Sequence, residues 1–292
     1  MGRGAGHGGF EVTTPAAPRV TVVIATRDRW DDLRESVPRH PPPVVLLDNA
    51  SDDATPDLVA RTFPHVTLVR LPHNAGAVAR NEGVRLSRTP YVAFADDDSW
   101  WEPGALERAA DLLDANPGVG LLAARVLVGE AQTVDPVCLQ MEASALGRHG
   151  DEPGPRVLGF IACGAVVRRS AYLAAGGFDP VVFFAGEEER LALDLAAAGW
   201  ALCYAPELVV RHMPSPTRDP AARLVVISRN ALLTSVMRRP AAHVVRTVLQ
   251  AGRSRPGRRG ILAAVPRLPA ALRNRRRLPR EVEAARALLD TT

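Results

Sequence analysis

Four short apolar runs, at residues 19–26, 44–47, 66–71 and 91–95, alternate with stretches of helical spacing over the first third of the chain. The first, RVTVVIAT, is rich in β-branched residues and suits a strand buried on both faces; the stretch after it, RDRWDDLRESV, has helical spacing with acids in its first turn. A strand–helix alternation repeated four times at short intervals predicts a parallel sheet with helices on both faces. Polar clusters follow the first, second and fourth runs, so they gather along one edge of that sheet, at the strand ends where open α/β sheets bind ligands.

The fourth run, YVAFA, ends on three consecutive carboxylates, Asp96, Asp97 and Asp98. Like charges this close raise one another's pKa, and the arrangement is most easily sustained with a hard cation among the oxygens. A solvated acidic turn is the bland alternative. The position at a strand's carboxyl end favours the first reading: Asp96 and Asp98 can reach one divalent metal while a nucleotide diphosphate fills its remaining positions. A helix is expected to start at Pro103, a residue tolerated in the first turn.

Beyond that helix the pattern predicts a strand over 119–128, a variable excursion over 129–156 and a strand over 160–167. A short helix capped by Ser170 and ended by Gly176-Gly177 follows, then an amphipathic helix over 187–198 and a last short strand over 200–204. Residues 1–18 are Gly/Pro-rich and read as a flexible tail. Cys138, Cys163 and Cys203 are far apart, lack metal-type spacing and read as reduced structural thiols of a cytosolic protein, with Cys163 alone kept as a candidate to line a site. No secretory signal or membrane span is apparent, so the expected localisation is cytoplasmic.

Charge is divided unevenly. Residues 218–292 hold 17 arginines against 4 acids, whereas residues 1–217 hold 19 basic and 28 acidic residues. The expected organisation is therefore a tail over 1–18, a catalytic domain over 19–217 and an Arg-rich helical region over 218–292.

The motifs resemble, in consistent order from Val20 to about His212, the family 2 glycosyltransferases, inverting enzymes of the GT-A fold. VVIATRDR resembles the opening strand and T-x-N-R turn, with Asp28 in place of Asn. LLDNASDDAT is similar to the D-N-x-S-x-D-x-T nucleotide loop, NAGAVARNEG to the N-x-G-x-x-x-A-R-N-x-G element, FADDD to the D-x-D metal motif, and GGFDPVVFFAGEEERLALDL to the segment that carries the base. The resemblance implies Mn²⁺ or Mg²⁺ as cofactor, held by Asp96, Asp98 and His212, the last in LVVRHMPSP. It implies donor-nucleotide contacts from Thr26, Arg29, Asp48, Ser51, Asp53, Gly76, Arg80, Asn81, Asp96 and Asp97. Asp48 is suited to accept from a pyrimidine imide or ribose, and Arg80 to pair with diphosphate oxygens. Asn81 is equally suited to the base or to its own helix, and Asp52, Asp53 and Thr55 also fit a helix cap.

Within Glu187-Glu188-Glu189, Glu188 stands where the family has its catalytic Asp and is expected to be the general base, with Glu187 positioning it or the acceptor. Arg190 occupies a position where the family often has another acid. Trp100 and Trp101 suit either stacking on a sugar or burial.

The expected activity is transfer of a sugar from a nucleotide-diphosphate sugar to a hydroxyl of a cell-surface glycan or lipid-linked acceptor. A sugar-phosphate nucleotidyltransferase is the nearest enzyme alternative, but it usually carries a G-x-G-T-R-like loop where this chain has ATRDRWDD. An Arg-rich nucleic-acid-binding protein explains only the C-terminal region, so nucleic acid is not an expected partner. That region, with apolar residues at helical spacing beside arginines, suggests attachment to the cytoplasmic face of an anionic membrane; the alternative is an appendage folded back on the acidic catalytic part.

Overall fold

The computed structural model describes residues 17–214 and 220–291. Most of the expected N-terminal tail, and the expected boundary at 217/218, lie outside the described residues.

The first half runs β1 (Val20–Thr26), α1 (Trp30–Ser36), β2 (Val44–Asp48), α2 (Thr55–Thr62), β3 (Thr67–Arg70), α3 (Ala79–Leu86), β4 (Tyr91–Ala95), β5 (Ser99–Trp101), α4 (Ala105–Ala115) and β6 (Val119–Val128). After it come β7 (Thr133–Val134), α5 (Pro136–Glu142), β8 (Ala165–Arg168), α6 (Arg169–Ala175), α7 (Glu187–Ala197) and β9 (Ala201–His212). Five helices follow: α8 (Pro220–Arg238), α9 (Ala241–Gly252), α10 (Arg255–Ala264), α11 (Leu268–Arg273) and α12 (Arg280–Leu289).

The strands form one sheet in the order β3-β2-β1-β4-β8-β6-β9-β5, with β7 paired to β6. The β3-β2-β1-β4 half is parallel, as the alternation predicts, and its three inner strands are almost wholly buried. A strand covered on both faces cannot alternate polar and apolar residues, which is why these runs are continuously hydrophobic. Beyond β4 the pattern changes: β8 is antiparallel to both β4 and β6, and β6 is again parallel to β9.

Several elements differ from expectation: the 129–156 excursion holds β7 and α5, and α6 starts at Arg169, so Ser170 lies inside the helix and does not cap it. The 160–167 run is a strand only from Ala165; a 3₁₀ turn at Ala162–Gly164 precedes it. The three residues after the carboxylates pair with the end of β9 as β5, so the next helix begins at Ala105 rather than Pro103. The final strand is twelve residues long, not five, because it continues through Pro206. Proline cannot donate to a ladder, and the pairing answers with a bulge: Ala124 faces Ala205, but Arg125 faces Val209.

Helices α8 to α12 pack back on the rest of the chain. Leu232, Leu233, Val236 and Met237 of α8 are buried with Val181 and Val182, together with Ala264 and Ala271. Val282 of α12 is buried with Leu158 and Leu193. Ion pairs tie the same surfaces: Arg238 Nε to Asp194 at 2.6 Å and Arg286 Nη2 to Glu189 at 3.0 Å. Glu189, in the first turn of α7, is thus an anchor for α12.

Candidate active site

The turn between β4 and β5 presents the three carboxylates. Ser99 closes it, with the Asp96 N–H donating to Ser99 Oγ (2.8 Å) and the Ser99 N–H to Asp96 O (3.2 Å). Ser36 Oγ donates to Asp97 O (2.6 Å), and buried His40 lies with Nε2 3.1 Å from Ser99 O. Burial pushes the His40 pKa down to about 4, so this imidazole is a neutral brace.

Because β9 extends past its bulge, His212 pairs in register with Ser99 and arrives beside the turn. Its Nε2 is 3.2 Å from Asp98 Oδ1, and donor atoms of Asp96, Asp98 and His212 lie within 4.8 Å of one another. Two carboxylate oxygens and one imidazole nitrogen form a donor set that suits Mn²⁺ or Mg²⁺.

Asp97 turns away from this trio. It accepts from Thr26 Oγ1 (3.0 Å) and lies 3.6 Å from Arg29 Nε, while Arg29 Nη2 is 3.8 Å from Asp98 Oδ2. Burial, with the adjacent Asp98 and Asp96, pushes the Asp97 pKa up to about 7. Thr26 and Arg29 therefore brace the carboxylate turn.

Arg80, buried on α3, forms an ion pair with Asp96. Burial opposes its charge, but Asp96, Glu187 and Glu188 outweigh that and hold its pKa above the ordinary guanidinium value. The same interactions place the α7 glutamates in the electrostatic neighbourhood of the metal-type cluster. Glu187 is buried and its Oε2 has no hydrogen-bond partner among the described residues; Glu188 is half-buried. Burial raises both pKa values; Glu188 raises that of Glu187 further, and Asp96 raises both. Cys163 sits fully buried close by. Its thiol pKa is raised well above normal by burial and then by Asp96 and Asp98, so it is an inert wall.

The loop after β2 is held by its own polar groups. Asp48 accepts from the Ser51 hydroxyl and, at 3.2 Å, from the Ser51 N–H. Asp28, at φ 54°, accepts from the Asp52 N–H at 2.7 Å, and its own N–H donates to Ser51 Oγ at 2.9 Å. Asp53 accepts from the Thr55 N–H (2.9 Å) at the start of α2, and Asp52 pairs with Arg27.

Gly76 adopts φ +58°, and a Cβ there would lie 2.7 Å from Phe183 O, so the turn demands glycine for space and conformation alike. Ala77 N–H donates to that oxygen, and Asn49 holds the turn from the other side through Ala75 N–H and Gly76 O.

Asn81 is a correction. Read as a base or own-helix ligand, it spends its amide on neither: Nδ2 donates to Phe178 O, while Oδ1 accepts from Phe178 N–H and Tyr172 Oη. It locks α3 to the GGFD segment. Trp101 is likewise buried, with Nε1 donating to Phe94 O, whereas Trp100 is half-exposed under the Arg39 guanidinium.

The sequence offers no hint of the residues that hold the turn before α7. Phe183, Ala185 and Gly186 all have positive φ, a costly conformation for the first two. Asn230 Nδ2 donates to Phe184 O and Ala185 O, Arg229 Nη2 to Val182 O, and Arg267 Nη1 to Val181 O.

The family model described as Glycosyl transferase family 2 matches residues 21–174. The chain belongs to that family. It is similar to an N-acetylglucosaminyl-diphospho-decaprenol L-rhamnosyltransferase of Mycobacterium tuberculosis, 28% identical over 225 residues, which cover 63% of this chain and 71% of the relative. It is also similar to a pre-mycofactocin glycosyltransferase of the same organism, 30% identical over 206 residues, covering 68% of this chain and 43% of the relative. The fold matches the mannosyltransferase PcManGT of Pyrobaculum calidifontis, solved with GDP-Man and Mn²⁺, with a TM-score of 0.59 and 24% identity over 94% of this chain and 76% of that one. It also matches GalNAc-T7, solved with UDP, GalNAc and Mn²⁺, with a TM-score of 0.61 and 13% identity over 95% of this chain and 55% of that one. This family 2 chain is a glycosyltransferase of the GT-A fold.

Proposed function

We propose that the chain transfers a sugar from a nucleotide-diphosphate donor to an acceptor hydroxyl with inversion, and that it depends on Mn²⁺ or Mg²⁺. The observation that carries this reading is the convergence of Asp96, Asp98 and His212 within 4.8 Å, electrostatically linked through Arg80 to a separate carboxylate pair, Glu187 and Glu188. Metal and base are then different carboxylates on different elements.

Asp96, Asp98 and His212 would hold the cation, which when bound neutralises charge on the leaving diphosphate. Arg80 adds a guanidinium to the same charge and keeps Asp96 oriented. Asp48 and Ser51 shape the nucleoside end of the site. Glu188, kept basic by burial, takes the acceptor hydroxyl's proton as that oxygen attacks the anomeric carbon; one displacement opposite the leaving group inverts the centre. Glu187 positions Glu188 or the acceptor, and Asp96 adds to the burial that raises the Glu188 pKa.

We propose further that residues 19–217 form the catalytic part, residues 218–292 an appended helical region, and that the acceptor is lipid-linked or a growing surface glycan. One relative's name specifies a diphospho-decaprenol-linked acceptor, which supports the first option. Leu249, Leu262, Val265 and Leu272 are exposed beside exposed Arg246, Arg253, Arg258 and Arg259, a surface suited to the cytoplasmic face of an anionic membrane. No described helix is long and apolar enough to cross a membrane.

Hydrolysis of UDP-, dTDP- and GDP-sugars measured with Mn²⁺, Mg²⁺ or EDTA tests the core of the proposal. Turnover of one donor, abolished by EDTA, is the expected result; undiminished turnover in EDTA overturns metal dependence. Co-sedimentation with anionic but not neutral vesicles at low salt tests the membrane reading, and equal negligible binding to both removes it.

A further inference from the structure

The GGFD segment, α6 and α7 enclose, with the chain leaving α11, a cavity of about 560 Å³ that none of the catalytic residues lines. Five guanidiniums line it, those of Arg190, Arg238, Arg273, Arg276 and Arg277, against two carboxylates. Both carboxylates are already engaged: Asp179 accepts from Arg190 at 3.2 Å, and Asp194 pairs with Arg190 and with Arg238. Arg190 and Arg238 are each only 5% exposed. Among the described residues the buried Arg190 Nε has no hydrogen-bond partner, and the exposed Arg273, Arg276 and Arg277 make no ion pair.

Two buried guanidiniums in an excess of positive charge cost free energy that a bound anion offsets. The strain is registered at Arg190, whose pKa falls to about 9 through burial and then through the neighbouring Arg238. We infer that this cavity is a binding site for a phosphate-bearing anion, separate from the donor site. Planar guanidiniums in this number match the paired oxygens of a phosphate or diphosphate better than a single carboxylate. The bound anion joins α7, which carries Glu188, to the α11–α12 connection, so it braces the base-bearing helix from behind.

Isothermal titration of the full chain with inorganic pyrophosphate in EDTA tests this. One saturable site is expected, retained in Arg80→Met, which cripples the donor site, and weakened at least tenfold in Arg276→Ala/Arg277→Ala. Those two side chains are exposed, so the double variant keeps its fold by circular dichroism and its donor hydrolysis within about twofold. Arg273→Ala provides a second, independent weakening. Absence of saturable binding, or binding lost in Arg80→Met and unchanged in the arginine variants, overturns the assignment. Vesicles of phosphatidylcholine carrying phosphatidic acid separate the sources of the anion. Co-sedimentation lost in the double variant assigns a lipid headgroup; co-sedimentation unchanged, with pyrophosphate weakened, assigns a soluble phosphate.

Discussion

Asn230, fully buried in α8, donates Nδ2 to Ala185 O at 2.7 Å, two residues before the glutamates of α7. The same nitrogen reaches Phe184 O at 2.6 Å. A turn with positive φ at Phe183, Ala185 and Gly186 is held in an unfavourable conformation by a residue from a different part of the chain.

Asn230→Leu removes both bonds and leaves the buried Ala185 carbonyl unsatisfied. The expected cost is about 1–3 kcal/mol of stability, read by urea denaturation, together with a fall in kcat larger than any change in KM. Unchanged kcat in a folded variant would show that the turn needs no such clamp.

Asp98→Asn removes one anionic oxygen from the Asp96–Asp98–His212 set. Mn²⁺ affinity, read by calorimetry with nucleotide present, is expected to fall about 10-fold or more.

Glu188→Gln is expected to lower kcat by about two to four orders of magnitude with donor KM little changed. Glu187→Gln is expected to be milder, because it removes a positioning carboxyl and leaves the base in place. If Glu187→Gln is dead and Glu188→Gln active, the roles are reversed.

The pH dependence carries a definite sign. Both glutamates have folded pKa values raised above the ordinary 4.5 by burial, with Glu188 adding to the rise at Glu187 and Asp96 to the rise at both. Their contribution to stability is intact below that ordinary value and is lost as pH rises through the raised values, since the folded state must then ionise buried carboxyls. Activity runs the other way, because only the unprotonated base accepts a proton. Thermal melts and kcat measured across the same pH series should therefore show opposing slopes, which Glu188→Gln flattens.

Gly76→Ala places a Cβ 2.7 Å from Phe183 O at φ +58°. A loss of about 1–3 kcal/mol is expected, with a fall in donor affinity as the turn shifts.

The parallel half of the sheet and the carboxylate turn are legible because its three inner strands are almost continuously apolar and each ends on a polar cluster. Strand β9 was cut short because Pro206 is a stop signal locally, yet pairing with β6 carries the strand past it through a bulge. Asn81 misled because a motif position does not reveal what the side chain will meet, and here it meets Phe178 and Tyr172 from nearly one hundred residues away. Asn230, Arg229 and Arg267 carried no signal at all. Their roles arise from how α8 and the residues after α10 settle against the 180–186 turn, which is tertiary information.

The clamp on that turn also orders events in time. Glu188 is synthesised well before Asn230, and Arg267 follows later still, an interval on the order of several seconds on a ribosome. Until those residues emerge, the N-terminal sheet can form and gather its aspartates, but the turn ahead of α7 lacks the bonds that Asn230, Arg229 and Arg267 later supply. The nascent chain thus gathers its aspartates before the turn ahead of Glu188 is clamped. Maturation of the enzyme ends with the docking of its last helices.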